Sequence, residues 1–436
     1  MKILHLPVAY LPWTIGGREV YCHRLCQNLQ LLGADVQVAI HQDVSGREPL
    51  GNHHHEGVPV CVLPPISDHG DRVASVSRTT NHPIGFREVL AEYQPNIVHF
   101  HDSCSSAGIT HMRLSKEAGC KVVMTYHSPG QSCLQSALLY HGKQVCDGKI
   151  SGYRCTECRL SYAGLPSPVA RFVALGSPPW IDPASPGKIN HVLTARKMTE
   201  LHHSAWLEII ELVDALHVHA AWVKDIVLLN GADPQKVHFL RPGGPNPVSH
   251  LVQLKSHSDF LNIVFVGRCI DIKGIHILIA AVKLLPKELP IKVTFFGPYW
   301  ESKNYGRNLL QQIKGDVRFE LKHNLPNTQI VETLANYDVC VVPSIWLETG
   351  PLTVLEAFAA GVPVIGSRLG GIVELVRDEV DGILFEPGNA HELANIFTRL
   401  ARNRELIEKL KMNIKPPKKM TSFAKDMLSL YQDLQK

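Results

Sequence analysis

The chain has 436 residues, 45% of them hydrophobic and 19% charged. That ordinary globular composition excludes disorder as the main state and leaves room for two or three domains of ~150 residues. The formal net charge of +4 is too slight to indicate nucleic acid as a partner. No apolar run reaches the ~18–20 residues that a membrane span needs. The start, MKILHLPVAYLPW, lacks the apolar stretch and small-residue cleavage site of a signal peptide and reads as a first strand. The expectation is a cytoplasmic chain whose 11 cysteines do not form a disulfide framework. Its 24 histidines have no collective reading.

In chain order, Lys2–Leu6 is an apolar run followed by a loop with Pro7, Pro12, Gly16 and Gly17. A helical pattern from Glu19 to Leu32 stops at Gly33, and a strand over Val36–Ile40 closes a strand–helix–strand unit. His53-His54-His55 reads as a polar loop before the strand Val58–Val62, and three consecutive histidines do not share a face. Phe86–Tyr93 reads as a helix, Ile97–Phe100 as a buried strand ending at His101 and Asp102, and Lys121–Thr125 as a strand running into His127. Residues 129–190 break the rhythm with four cysteines and a Pro-rich stretch, and alternation resumes at Ala215–His219 and Val237–Leu240. A second series runs through Asn262–Val266, Val293–Phe296, Val339–Val342, Val362–Ile365 and Ile383–Phe385. Asn389 with Glu392 makes a capping-box-like start to the helix Leu393–Leu400, and Thr421–Leu434 reads as a terminal helix. Strands alternating with helices predict an α/β chain, with two doubly wound parallel-sheet halves joined near residues 245–260.

Ligands of such sheets bind beyond the carboxyl ends of the strands. The stretch Val341–Gly361 (VVPSIWLETGPLTVLEAFAAG) is therefore the most informative. A strand ends near Pro343, Pro351 opens a helix, and the helix stops at Gly361. The free N–H groups at that helix start suit a phosphate or sugar oxygens. Glu348 before the helix and Glu356 within it offer carboxylates to a polyhydroxy ligand.

This stretch resembles the E-x7-E signature of the retaining, two-Rossmann-domain glycosyltransferases, glycosyltransferase family 4, and the likeness extends over nearly the whole chain. Phe265–Gly274 (FVGRCIDIKG) is similar to that family's basic pair, in which Arg268 and Lys273 would grip the donor diphosphate. Gly16-Gly17 before a helix is similar to the family's glycine loop, and His127 matches a histidine that lies near the transferred sugar. Asn230–Asp233 and Arg241–Gly243 look like linker-proximal loops. One departure is Pro351, where the family commonly has Gly. Proline removes a donor, so contacts would pass to Gly350, Leu352 and Thr353.

The resemblance implies a GT-B architecture, two Rossmann-like doubly wound domains facing a cleft, with a C-terminal helix returning to the first domain. The expected boundaries are 1–250 for an acceptor-side domain with a Cys-rich insertion at 129–165, 258–415 for a nucleotide-sugar-binding domain, and 420–436 for the helix. It also implies transfer of a sugar from a nucleoside-diphosphate sugar to a sugar or lipid-linked acceptor, with no cofactor for catalysis. Glu356 would hold the ribose and Glu348 the donor sugar. The rival readings are an epimerase or hydrolase on the same fold, and a non-catalytic nucleotide-sugar-binding protein.

Two features lie outside that chemistry. Cys133, Cys146, Cys155 and Cys158 fall within one segment, and the closing Cys-x-x-Cys is the pair typical of zinc sites. A structural zinc is the expectation, with inert thiols and a disulfide as the alternatives. Lys409, Lys411, Lys415, Lys418, Lys419 and Lys425 form a basic stretch. It reads as a solvated helix end or as a peripheral contact with anionic lipid at the inner face of the membrane.

Overall fold

A computed structural model describes residues 1–43, 45–66, 71–247, 259–301, 303–322 and 325–436. The chain divides into two compact units, Met1–Arg241 with Thr421–Lys436, and Pro242–Met420. The joint expected at 245–260 falls mostly on residues 248–258, outside the described residues.

The first unit holds β1 (Lys2–Pro7), β2 (Asp35–His41), β3 (Gly51–His55), β4 (Val58–Leu63), β5 (Ile97–His101), β6 (Lys121–Tyr126), the short hairpin β7 (Leu139–Tyr140) and β8 (Gln144–Val145), then β9 (Ala215–Val218) and β10 (Val237–Phe239). Its main sheet has the order β10-β9-β6-β5-β1-β2-β4-β3, parallel except for the edge pair β3–β4. The order reverses between β1 and β5, and the loops that leave those strands carry Gly16–Gly17 and Asp102. Central strands such as β5 (burial complete over Ile97–His101) are covered on both faces, which is why apolar residues dominate them and why their histidines are buried too.

His53-His54-His55 departs from the loop expected of it. These residues belong to β3 and pair antiparallel with β4, His55 opposite Val58, across the two-residue turn Glu56–Gly57. Both turn residues have positive φ, the geometry that matches strand twist in a tight hairpin. The Cys-rich segment contains the β7–β8 hairpin and a helix over Gly152–Tyr162. That helix meets the helix Ala195–Leu212 through a Thr156–Thr199 hydroxyl hydrogen bond of 2.8 Å. Leu160 of the first of these helices joins Ala170, Val173 and Ala195 in a small apolar cluster, so the segment packs on residues that follow it in the chain. From Thr421 on, the terminal helix Met420–Asp433 belongs to the first unit, where the Tyr431 hydroxyl meets His99 Nδ1 at 2.6 Å with both side chains buried.

The second unit holds β11 (Leu261–Val266), β12 (Ile291–Phe296), β13 (Phe319–Lys322), β14 (Val339–Val342), β15 (Val364–Ser367) and β16 (Gly382–Phe385). All are parallel, in the order β13-β12-β11-β14-β15-β16. Strand order reverses between β11 and β14, the place where doubly wound sheets bind ligands. Helices on both faces bury two clusters, one around Phe295, Phe385 and Phe397 and the other around Val354, Phe358 and Val364. Asn389 caps the helix Ala390–Arg402 by accepting from the Glu392 N–H at 3.1 Å. Among the described residues no helix is long and apolar enough to cross a membrane.

Candidate active site

The loops leaving β11 and β14 are stitched together. After β11, residues Asp271–Lys273 form a single 3-10 turn, and the Ile345 N–H donates to the Ile272 carbonyl at 3.0 Å. That clasp sets Lys273 against Glu348. Lys273 Nζ donates to Glu348 Oε1 at 2.6 Å, and the same oxygen accepts from Ser344 Oγ at 2.7 Å and Trp346 Nε1 at 2.9 Å. The Lys273 ammonium also stands 5.6 Å from the centre of the Trp346 ring. Burial alone would raise the Glu348 carboxyl. The Lys273 charge and these hydrogen bonds outweigh it and hold the group below the usual carboxylate range.

A third loop fixes the backbone of the same residue. Gly371 N–H donates to the Glu348 carbonyl at 2.7 Å. Gly370 has φ +53°, and a Cβ there would fall 2.9 Å from the Glu348 nitrogen, so the close approach requires glycine.

Glu356 is buried, one turn into the helix Leu352–Ala359. Its charge adds to burial in pushing the Cys340 thiol up. Pro351 is the residue before the helix, with Gly350, Leu352 and Thr353 half-buried around the helix start. Thr353 Oγ1 makes a long contact of 3.5 Å with the Val266 carbonyl, so the helix start abuts the end of β11. Arg268, two residues beyond β11, is exposed and forms no ion pair among the described residues.

In the first unit Gly16 precedes the helix Gly17–Leu31. Arg18, in its first turn, bonds Glu19 at 2.8 Å and Asp102 at 3.3 Å. Asp102 is buried, and its Oδ1 accepts the backbone N–H groups of His127 at 2.8 Å and Ser128 at 3.1 Å. Gly16, Gly17 and His127 are thus linked through an Arg18–Asp102 relay. Burial raises the Asp102 carboxyl in spite of Arg18. His127 Nε2 lies 3.0 Å from His101 Nδ1. Burial, then the neighbouring His219 and Arg18, keep its imidazole well below the usual pKa and neutral at pH 7.

The structure therefore gathers Lys273 with Glu348 in one unit and the glycine loop with His127 in the other. The four cysteines stand near enough to feel one another's charge, with Cys133 acting on Cys146, Cys155 and Cys158. No three of Cys133, Cys146, Cys155 and Cys158 have sulfurs within 4.8 Å of one another among the described residues. Cys158 Sγ instead accepts from the His141 N–H and Gln135 Nε2, each at 3.1 Å, and Cys155 Sγ from the Ser151 N–H at 3.4 Å. Sequence reasoning missed Arg18, Asp102, Ser344, Trp346, Gly370 and Gly371 as parts of the site. Ser344 and Trp346 were within reach, because they stand in the same loop as Glu348.

Comparison with known proteins agrees with this division. A model of glycosyl transferases group 1 matches residues 251–416, and a glycosyl transferase 4-like domain matches residues 16–154. The chain belongs to this glycosyltransferase family, with one matched domain in each unit. Alpha-maltose-1-phosphate synthase of Mycolicibacterium smegmatis is 29% identical over 226 residues, 45% of this chain and 58% of that protein. The putative colanic acid biosynthesis glycosyltransferase WcaL of Escherichia coli is 29% identical over 178 residues, 38% of this chain and 42% of the relative. The chain thus spans about half the length of the first curated relatives it matches. The crystal structure of Anabaena HepE in complex with UDP and glucose superposes with a TM-score of 0.66 at 16% identity, over 99% of this chain and all of that one. At that identity the likeness speaks for the GT-B fold alone.

Proposed function

We propose that the chain is a retaining glycosyltransferase that moves a sugar from a nucleoside-diphosphate sugar to an acceptor hydroxyl in polysaccharide or glycolipid assembly. The observation that carries this reading is the Lys273–Glu348 pair at the carboxyl ends of β11 and β14, where the strand order reverses. The UDP and glucose named for HepE support a nucleotide-sugar donor.

In this reading Arg268 and Lys273 meet the diphosphate. Breaking the bond from the anomeric carbon to phosphate oxygen leaves negative charge on the departing diphosphate, and two fixed cations stabilise it as it develops. The acceptor oxygen attacks from the same face, and its proton passes to an oxygen of the departing phosphate. As the donor enters, Lys273 turns part of its hydrogen bonding from Glu348 to phosphate, and the carboxylate is left to accept from sugar hydroxyls. Glu356 holds the ribose, the helix start at Gly350, Leu352 and Thr353 adds N–H donors, and His127 serves the acceptor side as a neutral imidazole. The lysines from Lys409 to Lys425 suit an anionic lipid surface that carries the acceptor.

The test supplies UDP-sugars with and without saccharide and polyprenyl-phosphate acceptors, and measures UDP release and the anomeric configuration of the product by NMR. Acceptor-dependent release with retained configuration is expected. Acceptor-independent release identifies a hydrolase, binding without release a non-catalytic protein, and an inverted product overturns the retaining mechanism.

A further inference from the structure

The helix Gly17–Leu31 and strand β1 press three metal-ligating side chains together. Cys22 and Cys26 stand four residues apart, so both thiols leave the same face of the helix. Both are fully buried, and so is His5 of β1. One ligand atom of each lies within 4.8 Å of the other two.

Two other groups are as compact, but each includes a histidine with both nitrogens already paired. His99 pairs Nε2 with Thr125 Oγ1 at 2.7 Å and Nδ1 with the Tyr431 hydroxyl at 2.6 Å. His23 pairs Nδ1 with the Tyr10 hydroxyl at 2.8 Å and Nε2 with Glu56 at 3.1 Å. His5 differs. Its Nδ1 is paired with His101 Nε2 at 2.9 Å, while its Nε2 is buried with no hydrogen-bond partner. A ring held through one nitrogen, with the other left over in a dry interior, is the arrangement of a histidine ligand and its outer-shell partner.

We propose that His5 Nε2, Cys22 Sγ and Cys26 Sγ bind a thiophilic metal ion, zinc in the first instance, as a Cys2His set. Binding forms two Zn–S bonds and one Zn–N bond, and the two thiol protons leave to solvent. A zinc ion, two thiolates and a neutral imidazole sum to zero charge, which suits a fully buried place. A water completes the tetrahedron. The ion would pin to β1 the helix whose first turn carries Gly17, Arg18 and Glu19.

The test uses the full chain purified without chelator, loaded with Zn2+ and desalted, with metal measured by mass spectrometry and zinc X-ray absorption recorded on the unmutated protein. About one equivalent of zinc, with two sulfurs and at least one imidazole nitrogen around it, is expected. C22S/C26S should lose that equivalent and C155S/C158S should keep it; such a loss supports the site whatever the insertion holds. Should C22S/C26S fail to fold, the absorption spectrum of the unmutated chain decides. A four-sulfur shell places the metal at the insertion cysteines and overturns the proposal. An absence of metal after loading, or a disulfide joining Cys22 to Cys26 in protein kept under reductant, also overturns it. Copper(I) held by the same residues keeps the site and corrects the ion.

Discussion

Glu348→Gln is the most searching single change in the second unit. Glu348 Oε1 accepts from Lys273, Ser344 and Trp346, with side-chain exposures of 8% for Glu348 and 23% for Lys273. A glutamine carbonyl can keep the Ser344 and Trp346 hydrogen bonds but not the charge that holds Lys273. The loss is one charge-assisted hydrogen bond, roughly 1.5–3 kcal/mol, and water reaching Lys273 draws the figure toward the lower end, about 2 kcal/mol. For a unit of this size that lowers the midpoint of thermal unfolding by roughly 4–8 °C. The pH dependence has a definite sign. The folded carboxyl is held below its ordinary value, so between the folded pKa and the unfolded value of about 4.3 the unfolded chain binds more protons. The stabilisation is therefore complete above about pH 4.3 and disappears as pH falls through the folded pKa. Urea titrations followed by circular dichroism should show a constant gap between the two proteins from pH 7 down to about 5, closing in more acid solution. A variant within about 0.5 kcal/mol of the parent at pH 7 would refute the reasoning, and so would a gap that widens with acid.

Other substitutions address ligand and loop. Arg268→Ala and Lys273→Ala should each weaken UDP binding about tenfold or more in calorimetry, the worth of one charge-assisted phosphate contact; unchanged affinity in both would remove the diphosphate assignment. Glu356→Gln should weaken free UDP as well as the sugar nucleotide, whereas Glu348→Gln should chiefly lower turnover, and the reverse pattern means that their roles are exchanged. Gly370→Ala places a Cβ 2.9 Å from the Glu348 nitrogen at φ +53°. It should cost more than about 1 kcal/mol of stability and lower turnover with it, measured by melting and by UDP release.

The strands and most helices were legible because each is a local pattern. β14 is an unbroken apolar run, and Phe86–Tyr93 shows its helical period within one segment. The Glu348–Glu356 spacing and the Arg268–Lys273 loop were legible for the same reason. What escaped depends on contacts between distant segments. Gly370 and Gly371 matter only because their loop meets the Glu348 backbone, and Asp102 matters because Arg18 and the His127 N–H converge on it from two other strand ends. The β3 strand was hidden by polarity. As an edge strand beside β4 it needs no buried face of its own, and the Glu56–Gly57 turn was the available signal.

The histidines escaped for the same reason, and their burial has a consequence for stability. Each strand shows only one or two polar breaks in an apolar run, but register sets His5 opposite His99, and Thr125 opposite both His101 and His217. On neighbouring elements His111, His217 and His219 are fully or almost fully buried as neutral rings. Burial lowers all three. His41 adds to the effect at His111 and His217 adds to it at His219, while His217 settles at about 4. Unfolding exposes each ring and returns its pKa to about 6.5. Below that pH the unfolded state binds more protons, so stability falls as acid is added, by about 1.4 kcal/mol per ring for each pH unit until the folded pKa is reached. His217 alone removes roughly 1.5 kcal/mol between pH 6.5 and 5, and His111 and His219 act in the same direction. The first unit should therefore lose stability in mild acid, while Glu348 is still ionised in the second. His219, whose two ring nitrogens have no hydrogen-bond partner, offers the sharpest check. His219→Phe should flatten the pH dependence of unfolding by about one proton below pH 6. Proton uptake on unfolding that is identical in parent and variant would show that this ring does not titrate as its burial requires.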